Sequence, residues 1–431
     1  MTGSRPPLPE GPYLVVGLAR SGAAAAAVLR EHGEVIGCDS GTPAAPAGVE
    51  AHLDADGVDL LDRVRTVVKS PGVPRQAPVI AAALERGLPV FGELELAWRL
   101  LANRFLAVTG TNGKTTTAEL LGAMHREAGL PVEVAGNVGT PLSALVGFVA
   151  PDATVVCEVS SFQLEDAHEF APDLALLLNL EEDHLDRHGS FEAYRHAKLR
   201  VFARQGAGDV AVLPAAFEVA TAARRVSFGG PGADLAIAEG QLRWRGEPLL
   251  DSAEVRLRGA HNLENAMGAA AAALAAGVDA EAVRGALRSF AGVPHRLEEV
   301  ALINGVLYVN DSKATNVASA LRALEAFPAG VHAILGGSLK GGGFGGLREA
   351  VAARCRAAYL IGEAAERLEA DLAGAAPLER HPDLEAAVHA AAAAARPGEV
   401  VLLAPATASY DQFRDYEERG ERFRELVSRR G

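Results

Sequence analysis

The chain has 431 residues, 49% of them hydrophobic and 22% charged, which suits two to four packed domains and excludes a disordered chain. Its formal net charge of -14 argues against general nucleic-acid binding, which needs a basic surface, and leaves room for a small anion held in a local pocket.

The opening MTGSRPPLPEGPY has no apolar run behind basic residues, and no later stretch is long and apolar enough for a membrane span. No signal peptide and no membrane association are therefore expected, and a cytoplasmic, monomeric protein is the expectation. YLVVG (Tyr13–Gly17) reads as a strand, followed by a turn and an Ala-rich helix from about Ser21 to Glu31. EVIGCD (Glu34–Asp39) reads as a second strand, and TVVKSPG (Thr66–Gly72) as another that stops at a Pro-Gly turn. Residues 1–92 thus predict a small parallel α/β domain. Its turn, Gly17-Leu18-Ala19-Arg20-Ser21-Gly22, is not the GxGxxG fingerprint, so NAD binding is disfavoured.

A second α/β series begins at RFLAVTG (Arg104–Gly110) and continues at TVVCEVS (Thr154–Ser160) and DLALLLNL (Asp173–Leu180). Strand-like runs at Val210–Leu213 and Arg225–Phe228 lead into alternating, turn-rich sequence up to about Arg258, compatible with a β-meander, before a long helix near Asn262. A third series follows AGVPHRLE (Ala291–Glu298), with strands at Val306–Asn310, Val331–Leu335, Ala357–Ile361 and Val400–Leu403. Strands alternating with helices imply mostly parallel sheets covered on both faces. The expected fold is α/β in three domains, 1–92, 93–294 and 295–431. Cys38, Cys157 and Cys355 are far apart with no CxxC pair, so they indicate no zinc site and no disulfide framework, and they read as small buried or half-buried residues.

The strongest chemical signal is the loop Gly110-Thr111-Asn112-Gly113-Lys114-Thr115-Thr116, between an apolar strand and a helix expected over Ala118–His125. Glycines let backbone N–H groups turn toward phosphate oxygens, and a helix N-terminus adds partial positive charge. The lysine reaches the β- and γ-phosphates, and the Thr115 hydroxyl suits Mg²⁺. The first glycine of the usual phosphate-loop signature is replaced by Val108. Glu158 closes TVVCEVS at the sheet end where ligands meet open α/β sheets. It is either a second Mg²⁺-binding group beside Thr115 or an ordinary strand-end acid.

The 41 basic residues include only five lysines: Lys69, Lys114, Lys198, Lys313 and Lys340. A lysine kept in so arginine-rich a chain is a candidate for work a guanidinium cannot do, as a compact charge or a neutral amine. Lys198 lies in NLEEDHLDRHGSFEAYRHAKLRVF (Asn179–Phe202) with Arg195 and Arg200 as neighbours and His184 upstream. Repulsion from those arginines would favour a neutral amine that can take up CO₂ as a carbamate and bind a metal beside His184. Read from its sequence neighbours alone, Lys198 is more simply a solvated helix cation.

GTNGKTT, EVSSFQLE, DHLDRHGSFEAYRHAKLR, GAHNLENA, HRLE and NDSKATN occur in this order, and together the chain resembles the Mur ligase family, its D-glutamate-adding branch in particular, from Gly17 to Phe413. The resemblance implies a Rossmann-like UDP-binding domain, a central phosphate-loop ATPase, and a dinucleotide-fold-like C-terminal domain that closes over ATP. It implies an ATP-dependent ligase joining D-glutamate to UDP-N-acetylmuramoyl-L-alanine through an acyl phosphate in peptidoglycan precursor synthesis. Under it, Gly110 through Thr116 hold ATP phosphates and Mg²⁺, Glu158 binds the first Mg²⁺, and His184 and carbamylated Lys198 serve a second. Asn262 and Asn265 face adenine, Arg296 reaches from the third domain to the γ-phosphate, and Asp311 and Lys313 grip ribose and phosphate. Arg20, Ser21, Asp39, Ser40 and Ser70 line the UDP pocket, with Lys69 beside it. Asp39 serves equally well as a cap for the next turn. Asn137, Ser160, Gln163 and His184 hold the remainder of the UDP-linked substrate.

For D-glutamate the implied residues are Thr315 and Lys340 at one carboxylate, and Ser409 with backbone N–H groups near Tyr416 at the other. A loop cation and a turn residue are the plain readings of Lys340 and Ser409. Tyr410 stands where a more aliphatic residue is expected and would narrow that pocket. The chain lacks the DNPR motif of the diamino-acid ligases and carries LGGSLKGGGF and ATASYDQF instead. The competing readings are a sister Mur ligase or folylpolyglutamate synthase with another amino acid, and a non-catalytic phosphate-loop switch.

Overall fold

The computed structural model describes residues 5–339 and 342–430. Three sheets follow one another along the chain. The first contains β1 (Tyr13–Val16), β2 (Val35–Asp39), β3 (Glu50–Leu53), β4 (Thr66–Lys69) and β5 (Val90–Gly92), in the order β3-β2-β1-β4-β5 and parallel throughout. Its central strands are buried on both faces, as a sheet covered on both sides requires. The loop after β1 folds tightly back on the following helix: a Cβ at Gly22 would stand 1.7 Å from the Gly17 carbonyl oxygen. That is why the turn needs a glycine there while carrying no dinucleotide fingerprint.

The second sheet contains β6 (Arg104–Thr109), β7 (Val132–Gly136), β8 (Thr154–Glu158), β9 (Leu174–Leu177), β10 (Val210–Pro214), β11 (Arg224–Phe228), β12 (Leu235–Ala238), β13 (Gln241–Trp244) and β14 (Glu247–Asp251). Its order is β14-β13-β12-β11-β10-β9-β6-β8-β7. The meander expected after Val210 is confined to β12–β14, which are antiparallel, whereas β10 and β11 extend the parallel sheet. Val210–Leu213 is buried on both faces and so behaves as an interior parallel strand. The two hairpin turns, Glu239-Gly240 and Arg245-Gly246, have positive φ at both residues, the turn geometry that fits strand twist. Strand β6 is flanked by β8 and β9, so the crossover direction reverses at its C-terminal end, where open α/β sheets bind ligands.

The third sheet contains β15 (Glu298–Ile303), β16 (Val306–Asn310), β17 (Val331–Gly336), β18 (Cys355–Ile361), β19 (Leu378–Arg380) and β20 (Val400–Leu403), ordered β15-β16-β20-β17-β18-β19. Only β15 runs antiparallel within it, joined to β16 by the Asn304-Gly305 turn. The chain forms two compact units: Met1–Val255 with Glu264–Ser289, and Arg256–Leu263 with Phe290–Gly431. The first holds the first two sheets and the second holds the third. Among the described residues no helix is long and apolar enough to cross a membrane.

Within the first unit the two sheets are pinned by buried charge. Lys69, at the end of β4, is 1% exposed and its Nζ lies 2.5 Å from Asp166 Oδ2, with Arg75 at 3.4 Å from the other carboxylate oxygen. Lys69 thus faces Asp166, and burial pulls its ammonium below the ordinary lysine value. Glu95, fully buried, accepts the N–H groups of His168, Glu169 and Phe170. Asp166→Asn leaves the Lys69 ammonium buried without its counter-charge and is expected to cost about 3–5 kcal/mol. A calorimetric melt should show the fall, and pairing Lys69→Met with Asp166→Leu should recover most of it. Equal melting temperatures for wild type and Asp166→Asn would show that the pair does not hold the sheets together.

Candidate active site

At the end of β6 the loop Gly110–Gly113 turns into the helix Lys114–Glu127, which begins four residues earlier than expected. No side chain caps its N-terminus, so its leading N–H groups remain suited to an anion. Gly113 has φ of 81°, and a Cβ there would stand 2.0 Å from Asn265 Oδ1, so Asn265 packs directly on the phosphate loop. Asn179, beyond β9, braces the same loop, accepting from Asn112 N–H at 2.9 Å and donating to the Asn112 carbonyl at 3.2 Å. Lys114 Nζ donates to the Gly110 and Thr111 carbonyls, both at 3.0 Å. Thr116 is buried in the first turn of the helix.

Glu158 ends β8, beside β6, and is 4% exposed. One carboxylate oxygen accepts the Thr115 hydroxyl at 2.7 Å and the other accepts the Asn137 amide at 2.9 Å. The structure therefore joins the Thr115 hydroxyl and the Glu158 carboxylate, braced by the Asn137 amide, in a pair of hard oxygen ligands, which fits Mg²⁺. Among the described residues no three His, Cys, Asp or Glu side chains converge. A divalent ion here would thus take one carboxylate, a hydroxyl, water and ligand oxygens, as Mg²⁺ does.

Lys198 is 2% exposed, so it is not the solvated helix cation its sequence neighbours suggest. Along the helix Phe191–Leu199, Tyr194 and Lys198 sit one turn apart on the buried face. The Lys198 amine donates to the Gly110 carbonyl at 2.7 Å and stands 4.9 Å over the Tyr194 ring, whose hydroxyl meets Thr111 Oγ1 at 2.9 Å. Its pKa falls to about 6, first through burial and then through Lys114, against the opposing charges of Asp183 and Glu158. The neighbouring arginines are not the cause: Arg195 stacks on Phe217 and Arg200 donates to the Ala167 carbonyl.

His184 has left-handed backbone (φ 51°) and lies 48% exposed; its contacts are to Asp183, Phe162 and Tyr194. Tyr194 thus has ring contacts with both Lys198 and His184. It and Asn179 are the residues of this site that the sequence reading passed over, although the four-residue spacing from Tyr194 to Lys198 is a helical-face signal. Ser160 and Gln163 cap the short helix Ser161–Leu164 reciprocally, the Ser160 oxygen accepting from Gln163 N–H at 3.3 Å and the Gln163 oxygen from Ser160 N–H at 2.9 Å.

In the first sheet, Asp39 has the geometry of a turn cap: Oδ1 accepts Gly41 N–H at 2.8 Å, and Oδ2 accepts Leu18 N–H at 2.6 Å from the loop after β1. Ser70 donates to the Gly17 carbonyl at 2.6 Å. Arg20 donates to the Gly139 carbonyl, in the loop that also carries Asn137, so the first and second sheets contribute to one junction. Ser21 is half-buried and Ser40 exposed nearby.

In the second unit, Asp311 is buried and accepts Leu297 N–H at 3.1 Å; burial raises its carboxyl to about 7 against that bond and Arg296. Asn262 donates to the Arg258 carbonyl at 2.9 Å and lines a small cleft with Arg296 and Glu299. Lys313 Nζ stands 3.6 Å from the Tyr416 ring centroid, and Thr315 N–H donates to the Lys313 carbonyl. Ser409 is 2% exposed, while Tyr410 is 71% exposed, so Tyr410 points to solvent instead of narrowing a pocket. Lys340 lies outside the described residues.

Residues 108–273 match the family description "Mur ligase middle domain" and residues 295–407 "Mur ligase, glutamate ligase domain". The chain is 45% identical to the UDP-N-acetylmuramoylalanine--D-glutamate ligase of Acidobacterium capsulatum, over 96% of this chain and 95% of that protein. It is 44% identical to the ligase of the same name from Solibacter usitatus, over 96% and 97%. Among solved structures it resembles the UDP-N-acetylmuramate-alanine ligase of Thermotoga maritima with TM-score 0.62 at 19% identity, covering 97% of this chain and 100% of that one. The MurF ligase of Thermotoga maritima in complex with ADP gives TM-score 0.61 at 19% identity, covering 98% and 96%.

Proposed function

The chain belongs to the Mur ligase family of ATP-dependent, amide-forming ligases with a three-domain α/β fold, and from that premise we propose that it joins D-glutamate to UDP-N-acetylmuramoyl-L-alanine in cytoplasmic peptidoglycan precursor synthesis. The observation that carries this reading is the near full-length likeness to ligases of that name, at 45% and 44% identity. The Thr115–Glu158–Asn137 cluster beside the phosphate loop supports it from the geometry. Residues 1–92, 93–294 and 295–431 are proposed as the UDP-substrate, ATP and D-glutamate domains.

In the proposed reaction the alanyl carboxylate oxygen attacks the γ-phosphorus of ATP, the bond to ADP breaks, and an acyl phosphate forms. The amine of D-glutamate then attacks the acyl carbon, loses a proton, and expels phosphate. Lys114 lowers the repulsion between carboxylate and triphosphate, while the uncapped helix N-terminus behind it orients the phosphates. Thr115 and Glu158 would hold one Mg²⁺, and His184 with carbamylated Lys198 a second; bound there, the ions would neutralise the charge crowded between carboxylate and triphosphate. Asn137, Ser160 and Gln163 would orient the UDP-linked substrate, Arg20, Ser21, Asp39, Ser40 and Ser70 its nucleotide, and Asn262, Asn265, Arg296, Asp311 and Lys313 the ATP.

Phosphate release measured with and without UDP-N-acetylmuramoyl-L-alanine plus D-glutamate tests the reading. Release that needs both substrates supports it. Release with L-alanine, a diamino acid or a folate instead points to a sister ligase or folylpolyglutamate synthase, and release indifferent to any acceptor points to a nucleotide switch. For the D-glutamate pocket, Ser409→Ala and Lys340→Ala each remove one charged hydrogen bond worth roughly 1.5–3 kcal/mol, so the KM for D-glutamate should rise about tenfold or more while that for ATP holds. Normal D-glutamate KM in both variants would put the pocket elsewhere.

A further inference from the structure

Arg419, in the helix Tyr416–Ser428, is 0% exposed and is among the largest fully buried side chains of the protein. Its guanidinium donates to the Ser312 hydroxyl at 3.0 Å and carbonyl at 2.9 Å, to the Thr407 carbonyl at 3.1 Å, to the Ala408 carbonyl at 3.2 Å, and to the Gly336 carbonyl at 3.5 Å. Those acceptors come from three places: the loop after β16, the loop after β20, and the end of β17. The first loop carries Lys313 and Thr315, and the second leads directly into Ser409. A lysine has three donors on a point charge and cannot span three backbones this way, whereas a planar fork can.

The charge is the second observation. Burial pulls the Arg419 guanidinium down to about 10, which still leaves it protonated at neutral pH. Among the described residues no acid lies within ion-pair distance of it. Asp411 acts on it only from farther off and is itself held by Glu363 N–H and Ser338. A buried cation satisfied only by neutral carbonyls is costly, and a ligand anion bound close by offsets that cost.

We infer that Arg419 is the positioning residue of the amino-acid pocket: it fixes the spacing between the Thr315 and Ser409 loops, and its unbalanced charge selects an amino acid with two carboxylates over one. The inference rests on the proposed D-glutamate pocket. Two variants test it by steady-state kinetics. Arg419→Lys keeps the charge and loses the fork, and Ser312→Ala keeps Arg419 and removes one acceptor. Arg419→Lys should raise the KM for D-glutamate about tenfold or more, Ser312→Ala several-fold, with the KM for ATP and for the UDP-linked substrate within about twofold of wild type. Wild type should also prefer D-glutamate to D-glutamine, and Arg419→Met should shrink that preference. An unchanged D-glutamate KM, or three KM values rising together as a general loosening would give, overturns the inference. If the Arg419 variants do not fold, Ser312→Ala decides by the same criterion. A wild type that joins some other amino acid and not D-glutamate overturns the substrate reading itself, whereas normal wild-type use of D-glutamate with unaltered variants overturns only the role of Arg419.

Discussion

Lys114→Ala should release phosphate at roughly a thousandth of the wild-type rate or less, with an unchanged fold. The expected size follows from loss of a preorganised charge at a transferring phosphoryl group, which typically costs about 10²–10³ or more in rate. Lys114 is the first residue of the helix Lys114–Glu127 and its amine crosses back over the loop to the Gly110 and Thr111 carbonyls. Alanine keeps the helix start, since it is the best helix former and Lys114 is only half-buried. The melting temperature should therefore stay near wild type while turnover disappears. Turnover at the wild-type rate in a folded Lys114→Ala protein would remove ATP from this loop.

Lys198→Ala should be comparably inactive, and Lys198→Arg should not restore it. A guanidinium cannot form a carbamate and is too large for a site where lysine is already 2% exposed. Short carboxylic acids added to Lys198→Ala should return part of the activity by supplying the missing anion. Carbon-13 bicarbonate should give a carbamate signal in wild type and none in Lys198→Arg. Activity should fall as the pH drops through about 6, where the buried amine takes up a proton and can no longer react with CO₂. The stability effect of the bare amine has the same sign. The unfolded lysine binds a proton up to its ordinary pKa and the folded one only below about 6. Stability therefore rises with pH across that window and loses that gain as pH falls. An active Lys198→Arg enzyme with a flat acid limb would leave Lys198 a structural residue.

Local chemistry made the phosphate loop, the strand-end Glu158 and the βαβ series legible in the sequence, because glycine geometry, strand apolarity and the helix that follows are short-range properties. The Asn304-Gly305 turn is equally local but was passed over, because the first strand of its hairpin, β15, alternates too weakly to declare itself. The short strands β3, β5 and β19 were missed as well: runs of three or four residues, buried in β5 and partly exposed in β3 and β19, exist as strands only by pairing with a neighbour. Burial was what the sequence could not supply. Lys69 read as a neighbour of the UDP pocket, and Lys198 as a solvated helix cation beside its chain neighbours, with no sign of a buried partner for either. The folding of Asp166 against one, and of Tyr194 and the Gly110 carbonyl against the other, turned the first into a buried ion pair and the second into an amine held largely neutral. Arg419 gave no signal at all, since its partners are backbone carbonyls that every residue possesses. The sequence determined which groups the protein has and the order in which strands and helices present them. Only tertiary packing, by choosing which of those groups lose water, decided their charge and their partners.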